Sequence, residues 1–283
     1  MKAPHQEIIQ ANGVDLCVDS FGDPADPPIL LIMGSSASMD WWEPELCERL
    51  AAGGRFVLRY DLRDTGKSVT YEPGSPPYTL ADLTDDAIGL LDALEISRAH
   101  LAGMSMGSGI ALHAALDHAE RVASLTLIAS SPAGTAPDLP DMSAETAAKF
   151  QMPEPDWSDG EAVIDYIVRF EGICAGEAPF DGAEVRPRAA LAFDRATNIE
   201  SMFTNHNMME HGGGNVRERL GELTMPVLAI HGTEDPILPY EHGLALEREI
   251  EGARLLTLEN TGHEIPRRTW DAIVPALLEH TQP

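Results

Sequence analysis

The sequence predicts an α/β fold: a mostly parallel sheet with helices on both faces and an inserted helical cap. Three observations predict it. Short apolar runs of strand length alternate with longer segments whose apolar residues recur at helical spacing. One strand-to-helix junction carries Gly-x-Ser-x-Gly, at Gly103-Met104-Ser105-Met106-Gly107. The alternation stops near residue 134 and resumes after residue 221, which divides the chain into a core (1–133 and 222–283) and an insertion (134–221).

The elements follow in order. Residues 7–10 and 14–20 alternate apolar and polar around Ala11-Asn12-Gly13, a hairpin signal. Residues 29–33, Ile-Leu-Leu-Ile-Met, form a continuous apolar run, as a strand buried on both faces requires. The small-residue loop Gly34-Ser35-Ser36-Ala37-Ser38 ends it, and a helix is expected over 41–52. A second buried strand, 56–60, leads into Asp61-Leu62-Arg63-Asp64-Thr65-Gly66-Lys67-Ser68. Residues 79–94 have helical spacing. The strand 99–102 then enters the Gly-x-Ser-x-Gly turn, a helix follows over 105–119, and the next strand is 122–128. In the insertion, strand-like runs disappear and helical patches stand at 162–170 and 189–202. Strand 227–230, helix 240–250, strand 254–258 and helix 267–280 complete the alternation. Ligands of such sheets bind at the carboxyl ends of the strands.

Composition narrows the function. The 283 residues carry 46 acidic and 19 basic side chains, a net charge of −27 at pH 7. That balance disfavours nucleic acid and anionic membranes as partners. The three cysteines, Cys17, Cys47 and Cys174, are dispersed and odd in number, which argues against a disulfide framework or a zinc ribbon. Free thiols fit a reducing compartment. Residues 1–9 lack an apolar signal core, and no apolar run reaches membrane-spanning length. A cytoplasmic location is the expectation, with monomer and homodimer both open.

Gly-x-Ser-x-Gly between a strand and a helix reads as a nucleophile elbow, with Ser105 at the corner. The plainer reading is a serine capping an ordinary helix. An acid and a histidine later in the chain decide between them, because a serine hydroxyl needs a base, and the base needs a carboxylate to fix its tautomer. Asp235, in His231-Gly232-Thr233-Glu234-Asp235-Pro236, is the chosen acid, with Glu234 as its neighbouring rival. His263, in Asn260-Thr261-Gly262-His263, follows the last strand. The order Ser, acid, His is that of an elbow-bearing fold. His5, His100, His118 and His280 read as surface or element-end residues, His113 as packed, and His231 as bordering the site. His206 and His211 beside Glu210 are read as part of a loop region with Gly212-Gly213-Gly214, not as a metal site. The amides of Ser35 and Met106 are the candidate oxyanion donors. Trp41, Trp42, Met104, Met202 and Phe203 are candidates to line an apolar pocket, with Gly34 and His206 added as substrate contacts. The 61–68 segment reads as a hydrogen-bonded turn at the edge of the site. Its Gly66-Lys67-Ser68 lacks the glycine-rich lead of a phosphate loop.

With these residues in place the chain resembles the α/β-hydrolase superfamily over nearly its whole length. Phe21-Gly22-Asp23-Pro24, Leu31-Ile32-Met33-Gly34, Arg59-Tyr60-Asp61 through Ser68, the Ser105 pentapeptide, Glu234-Asp235-Pro236-Ile237 and Gly262-His263 together are similar to aclacinomycin methylesterase. That resemblance implies hydrolysis of the methyl ester of an anthracycline polyketide. It assigns Ser105, Asp235 and His263 as catalytic residues and the Ser35 and Met106 amides as oxyanion donors. His206 falls where that family also carries histidine. The insertion matches least. The expected activity is a cofactor-free, metal-free serine carboxylesterase acting on a small-molecule ester. A lactonase or C–C bond hydrolase with the same triad, and a ligand sensor of the same fold with little turnover, are the alternatives.

Overall fold

The computed structural model describes residues 5–132, 136–210 and 216–282. The Gly134 boundary, His211 and the Gly212-Gly213-Gly214 run lie outside the described residues. Among the described residues eight strands form one sheet in the order β1-β2-β4-β3-β5-β6-β7-β8. They are β1 (His5–Ala11), β2 (Val14–Phe21), β3 (Pro28–Ile32), β4 (Phe56–Tyr60), β5 (Ala99–Met104), β6 (Val122–Ile128), β7 (Val227–Gly232) and β8 (Arg254–Leu258). β1 and β2 pair antiparallel, as do β2 and β4, and every other pair is parallel. The Asn12-Gly13 turn has positive φ at both residues, the backbone that an Asn-Gly hairpin supplies at least cost.

The helices are α1 (Pro44–Ala52), α2 (Leu80–Ala93), α3 (Met106–Asp117), α4 (Ala144–Phe150), α5 (Gly160–Ala175), α6 (Gly182–Arg195), α7 (Ile199–Met208), α8 (Glu241–Glu249) and α9 (Trp270–His280). They cover both faces because strand side chains alternate. Leu30 and Ile32 of β3 join the apolar cluster containing α2 and α3. Ile29 and Leu31 join the one containing α1, α9 and the inserted helices. Among the described residues four helices, α4 to α7, lie between β6 and β7. None of the helices among the described residues is long and apolar enough to cross a membrane.

Two of the boundaries that differ from the sequence reading have local causes. The helix expected over 41–52 is a 3-10 turn, Met39–Trp41, followed by α1. Pro44 disfavours helical backbone at Glu43 and then starts the new helix at its first position. The patch at 189–202 is two helices, because the Asn198 side chain accepts the Ser201 N–H and caps α7. Apolar spacing runs through this break, so periodicity alone does not reveal it. His100 and His280, read as surface or element-end residues, are buried at such ends. There they bond Ser124 Oγ and the Leu125 carbonyl.

Candidate active site

Ser105 stands between β5 and α3 with φ +53° and ψ −119°. That is a costly backbone for a residue with a Cβ, held by its surroundings. The flanking glycines explain how it is reached. A Cβ on Gly103 would meet the Gly107 carbonyl oxygen at 2.1 Å, and one on Gly107 would meet the Ile32 carbonyl oxygen at 2.3 Å. The Ser108 hydroxyl donates to the Gly103 carbonyl at 2.6 Å and accepts the Ile128 N–H at 3.1 Å, tying the turn to β6. Met106 is the first residue of α3. Its N–H has no carbonyl four residues back within the helix and sits at the positive end of the helix dipole.

β7 ends in the turn that carries Asp235, and β8 ends in the loop that carries His263. The two loops are joined: Thr233 N–H donates to the Leu258 carbonyl and Glu234 N–H to the Thr261 carbonyl. Gly232 permits this approach, since a Cβ there would lie 2.1 Å from the Thr261 oxygen. His263 Nδ1 and Asp235 Oδ2 are 2.8 Å apart. Asp235 Oδ1 accepts the N–H groups of Ile237 and Leu238, each at 2.9 Å. Glu234, the rival acid, is exposed, whereas Asp235 is buried. His231 also borders the carboxylate, with Nε2 2.7 Å from the Leu238 carbonyl and 3.5 Å from Asp235 Oδ2.

The electrostatics follow from burial and charge. Burial pushes the Asp235 carboxyl up, but the His263 ring and its hydrogen bond outweigh this and hold the carboxyl below the usual range. Burial pushes the His263 ring down, yet the Asp235 charge and hydrogen bond, helped by Glu171, leave it above its ordinary value. His231 has no such surplus, and burial leaves it below its ordinary value.

Ser105 and His263 open onto one cavity of about 470 Å³. Among the described residues neither Ser105 Oγ nor His263 Nε2 is hydrogen bonded to another side chain. Gly34, Ser35, Trp41, Met104 and Phe203 line the cavity. A Cβ on Gly34 would stand 3.2 Å from Ser105 Cβ, so the glycine brings the Ser35 loop close to the serine. Three residues expected in this wall are elsewhere. Trp42 and Met202 are fully buried within the apolar cluster under the site. A tryptophan pair in sequence points in two directions, and only Trp41 faces the cavity. His206 is also fully buried behind the loop, bonded to backbone. Among the described residues no cluster of His, Cys, Asp and Glu is arranged to hold a metal ion.

The sequence reading missed the far wall, which the inserted helices supply. Tyr166, Phe170 and Glu171 of α5 and Arg188 of α6 line the cavity. Phe203 packs edge-on against both Tyr166 and Phe170. Burial raises the Glu171 carboxyl above its usual range, against the pull of Arg188. On an amphipathic helix such a glutamate reads as solvent-facing, and only the packing of α5 shows otherwise. Glu264, beside His263, also lines the cavity and pairs with Arg268 at 2.9 Å. The inserted helices are anchored to the site: His263 N–H donates to the Cys174 carbonyl at the end of α5, at 2.8 Å.

The turn after β4 joins the two parts. Asp61 pairs with Arg195 of α6 at 2.7 Å, and Arg195 also binds Asp40. Asp64 accepts from Tyr78 Oη at 2.6 Å and from Asn205 Nδ2 of α7 at 2.9 Å. Arg63 forms a buried pair with Asp86 at 2.7 Å.

A model of the alpha/beta hydrolase family matches residues 29–276. The chain belongs to that family. Among the proteins similar to this chain is a rhodomycin D methylesterase from Streptomyces sp. (strain C5), 34% identical over 97% of each chain. Another from Streptomyces peucetius is 33% identical over the same shares. A hydrolase from Pseudomonas aeruginosa PA01 superposes over the whole of both chains with a TM-score of 0.76 at 26% identity. An esterase from Exiguobacterium antarcticum covers 99% of this chain and 100% of its own, with a TM-score of 0.75 at 22% identity, a likeness of fold alone.

Proposed function

We propose that this chain is a serine carboxylesterase that hydrolyses small-molecule esters, methyl esters included, through an acyl-enzyme on Ser105. The observation that carries the reading is the 2.8 Å pair of His263 Nδ1 and Asp235 Oδ2, on a histidine that shares its cavity with the strained Ser105. Asp235 accepts the Nδ1 proton of His263, which leaves Nε2 as the base. Nε2 takes the Ser105 proton as Oγ attacks the ester carbonyl. The Ser35 and Met106 N–H groups hold the oxyanion. His263 then protonates the departing alcohol, and water attacks the acyl-enzyme by the reverse steps. No metal or organic cofactor enters this scheme.

The helical insertion acts as a cap that closes the cavity and sets its selectivity. A volume of about 470 Å³ suits a drug-sized molecule. Its aromatic walls of Trp41, Tyr166, Phe170 and Phe203 suit a ring-bearing body, as the names of the methylesterase relatives suggest. The covalent step is tested by rapid mixing with p-nitrophenyl acetate, acid quench and mass measurement of the intact protein and of its peptides. One acetyl group on the peptide containing Ser105, with a burst of p-nitrophenol, is the expected outcome. Turnover of p-nitrophenyl pivalate, whose hindered acyl group slows deacylation, with neither burst nor adduct would count against an acyl-enzyme.

A further inference from the structure

The proposed reading leaves open what fixes the Ser35 amide. Ser35 lies in a loop with no regular secondary structure after β3, and Met33 at its start offers no polar side chain. Ser36, next in sequence, has φ +58°, a strained backbone for a non-glycine residue that must be held by its neighbours. The group that holds it is His206 of α7. His206 Nδ1 is 3.3 Å from the Ser36 N, and His206 Nε2 is 2.8 Å from the Arg63 carbonyl oxygen.

These two contacts define the state of the ring. An amide N–H only donates, so Nδ1 is the unprotonated nitrogen. A carbonyl only accepts, so Nε2 carries the hydrogen. The other neutral tautomer loses both bonds, and the imidazolium loses the bond to Ser36. The surroundings favour the neutral ring: burial lowers its affinity for a proton, against the Arg63 carbonyl and the Asp64 carboxylate, which raise it. Asp64 is itself satisfied by Tyr78, Asn205, Thr70 and the Tyr71 N–H. Tyr78 also packs its ring edge-on against His206. The helix behind the ring is fixed: the Ser201 hydroxyl donates to the Tyr71 carbonyl at 2.6 Å, and Asn205 Oδ1 accepts the Gly74 N–H at 2.7 Å.

We infer that His206, from outside the cavity, is a positioning residue that holds the Ser36 amide and thereby aims the adjacent Ser35 N–H at the developing oxyanion. Ser35 is bounded on one side by Gly34, packed against Ser105, and on the other by the Ser36 amide that His206 grips. The oxyanion site is therefore complete only while α7 is docked on the turn after β4. This inference rests on the assignment of Ser35 as an oxyanion donor.

The test compares His206→Leu, His206→Asn and His206→Gln with wild type on a p-nitrophenyl ester, together with inhibition by an aryl trifluoromethyl ketone. The adduct of that ketone carries the oxyanion. Asparagine puts an acceptor where Nδ1 stands, and glutamine puts its amide where Nε2 stands. The leucine variant is expected to lose roughly ten- to a hundredfold in kcat, less than the loss of a donor itself, with KM nearly unchanged and ketone affinity weakened in proportion. Asparagine should recover most of the loss and glutamine should not. If leucine does not fold, the asparagine–glutamine contrast carries the test. Equal activity of those two variants, a change in KM alone, or an undiminished ketone affinity would overturn the inference. Failure of wild type to turn over esters would instead overturn the reading of the site on which it rests.

Discussion

His263 and Asp235 face each other across two loops that are themselves hydrogen bonded, with Nδ1 and Oδ2 2.8 Å apart. Their geometry is a property of the sheet end as much as of the two side chains. β7 and β8 are adjacent and parallel, so the loops leave the sheet side by side, and Gly232 lets them touch.

Replacing Asp235 by asparagine keeps the shape and removes the charge. The amide presents a donor or an uncharged acceptor to His263 Nδ1, and kcat should fall by about 10⁴. Glu234→Gln, at an exposed position, should leave kcat unchanged. Steady-state kinetics of both variants check this. Comparable losses in the two would mean that the acid is misassigned.

The pH dependence has a definite sign. In the proposed scheme His263 must be neutral to act as base, and the Asp235 charge raises its pKa above the ordinary 6.5. The kcat/KM of wild type should therefore rise with pH through an apparent pKa above 6.5. Glu171→Gln removes a second raising charge and should move that limb to lower pH. A limb that stays in place would show that Glu171 does not act on the histidine.

The elbow should tolerate no side chain at its flanks. Gly103→Ala places a Cβ 2.1 Å from a backbone oxygen that cannot swing away as a side chain would. Roughly 3 kcal/mol of destabilisation is expected, at the upper end for overpacking. Urea unfolding measures it. A midpoint equal to that of wild type would contradict the packing described here.

Acid should destabilise the fold through the buried His100. Burial lowers His100 to about 4, from an ordinary 6.5. The unfolded chain takes up this proton below pH 6.5 and the folded chain does not. The stability contribution is full above 6.5 and is lost as pH falls from 6.5 towards 4. His100→Gln should flatten the curve of urea midpoint against pH in that window. Comparing the variant with wild type isolates the histidine from Asp61 and Asp86, whose carboxyls burial pushes up and which act in the opposite sense. Parallel curves for the two proteins would exclude a titrating His100.

What could be read from the sequence had local causes. The elbow is legible because both glycines are dictated by contacts within a few residues of Ser105 or across one strand. Asp235 and His263 are legible from the order of the strands that precede them. The far wall was not, because its residues reach the cavity only through the packing of α5 and α6. Trp41 and Trp42 were indistinguishable as letters, and the structure separates them by where the chain bends before Pro44. His206 is read as a substrate contact at a position where the resembling family also carries histidine, but it lies one layer behind the cavity, and a matching letter says nothing of depth.

The central claim is tested most directly by hydrolysis of a panel of p-nitrophenyl and small methyl esters, wild type beside Ser105→Ala. The account predicts turnover by wild type on the order of one per second or faster, within the ordinary range for enzymes, and loss of that turnover in a folded Ser105→Ala variant. Equal hydrolysis by the two proteins, or none by wild type on any ester, would contradict it.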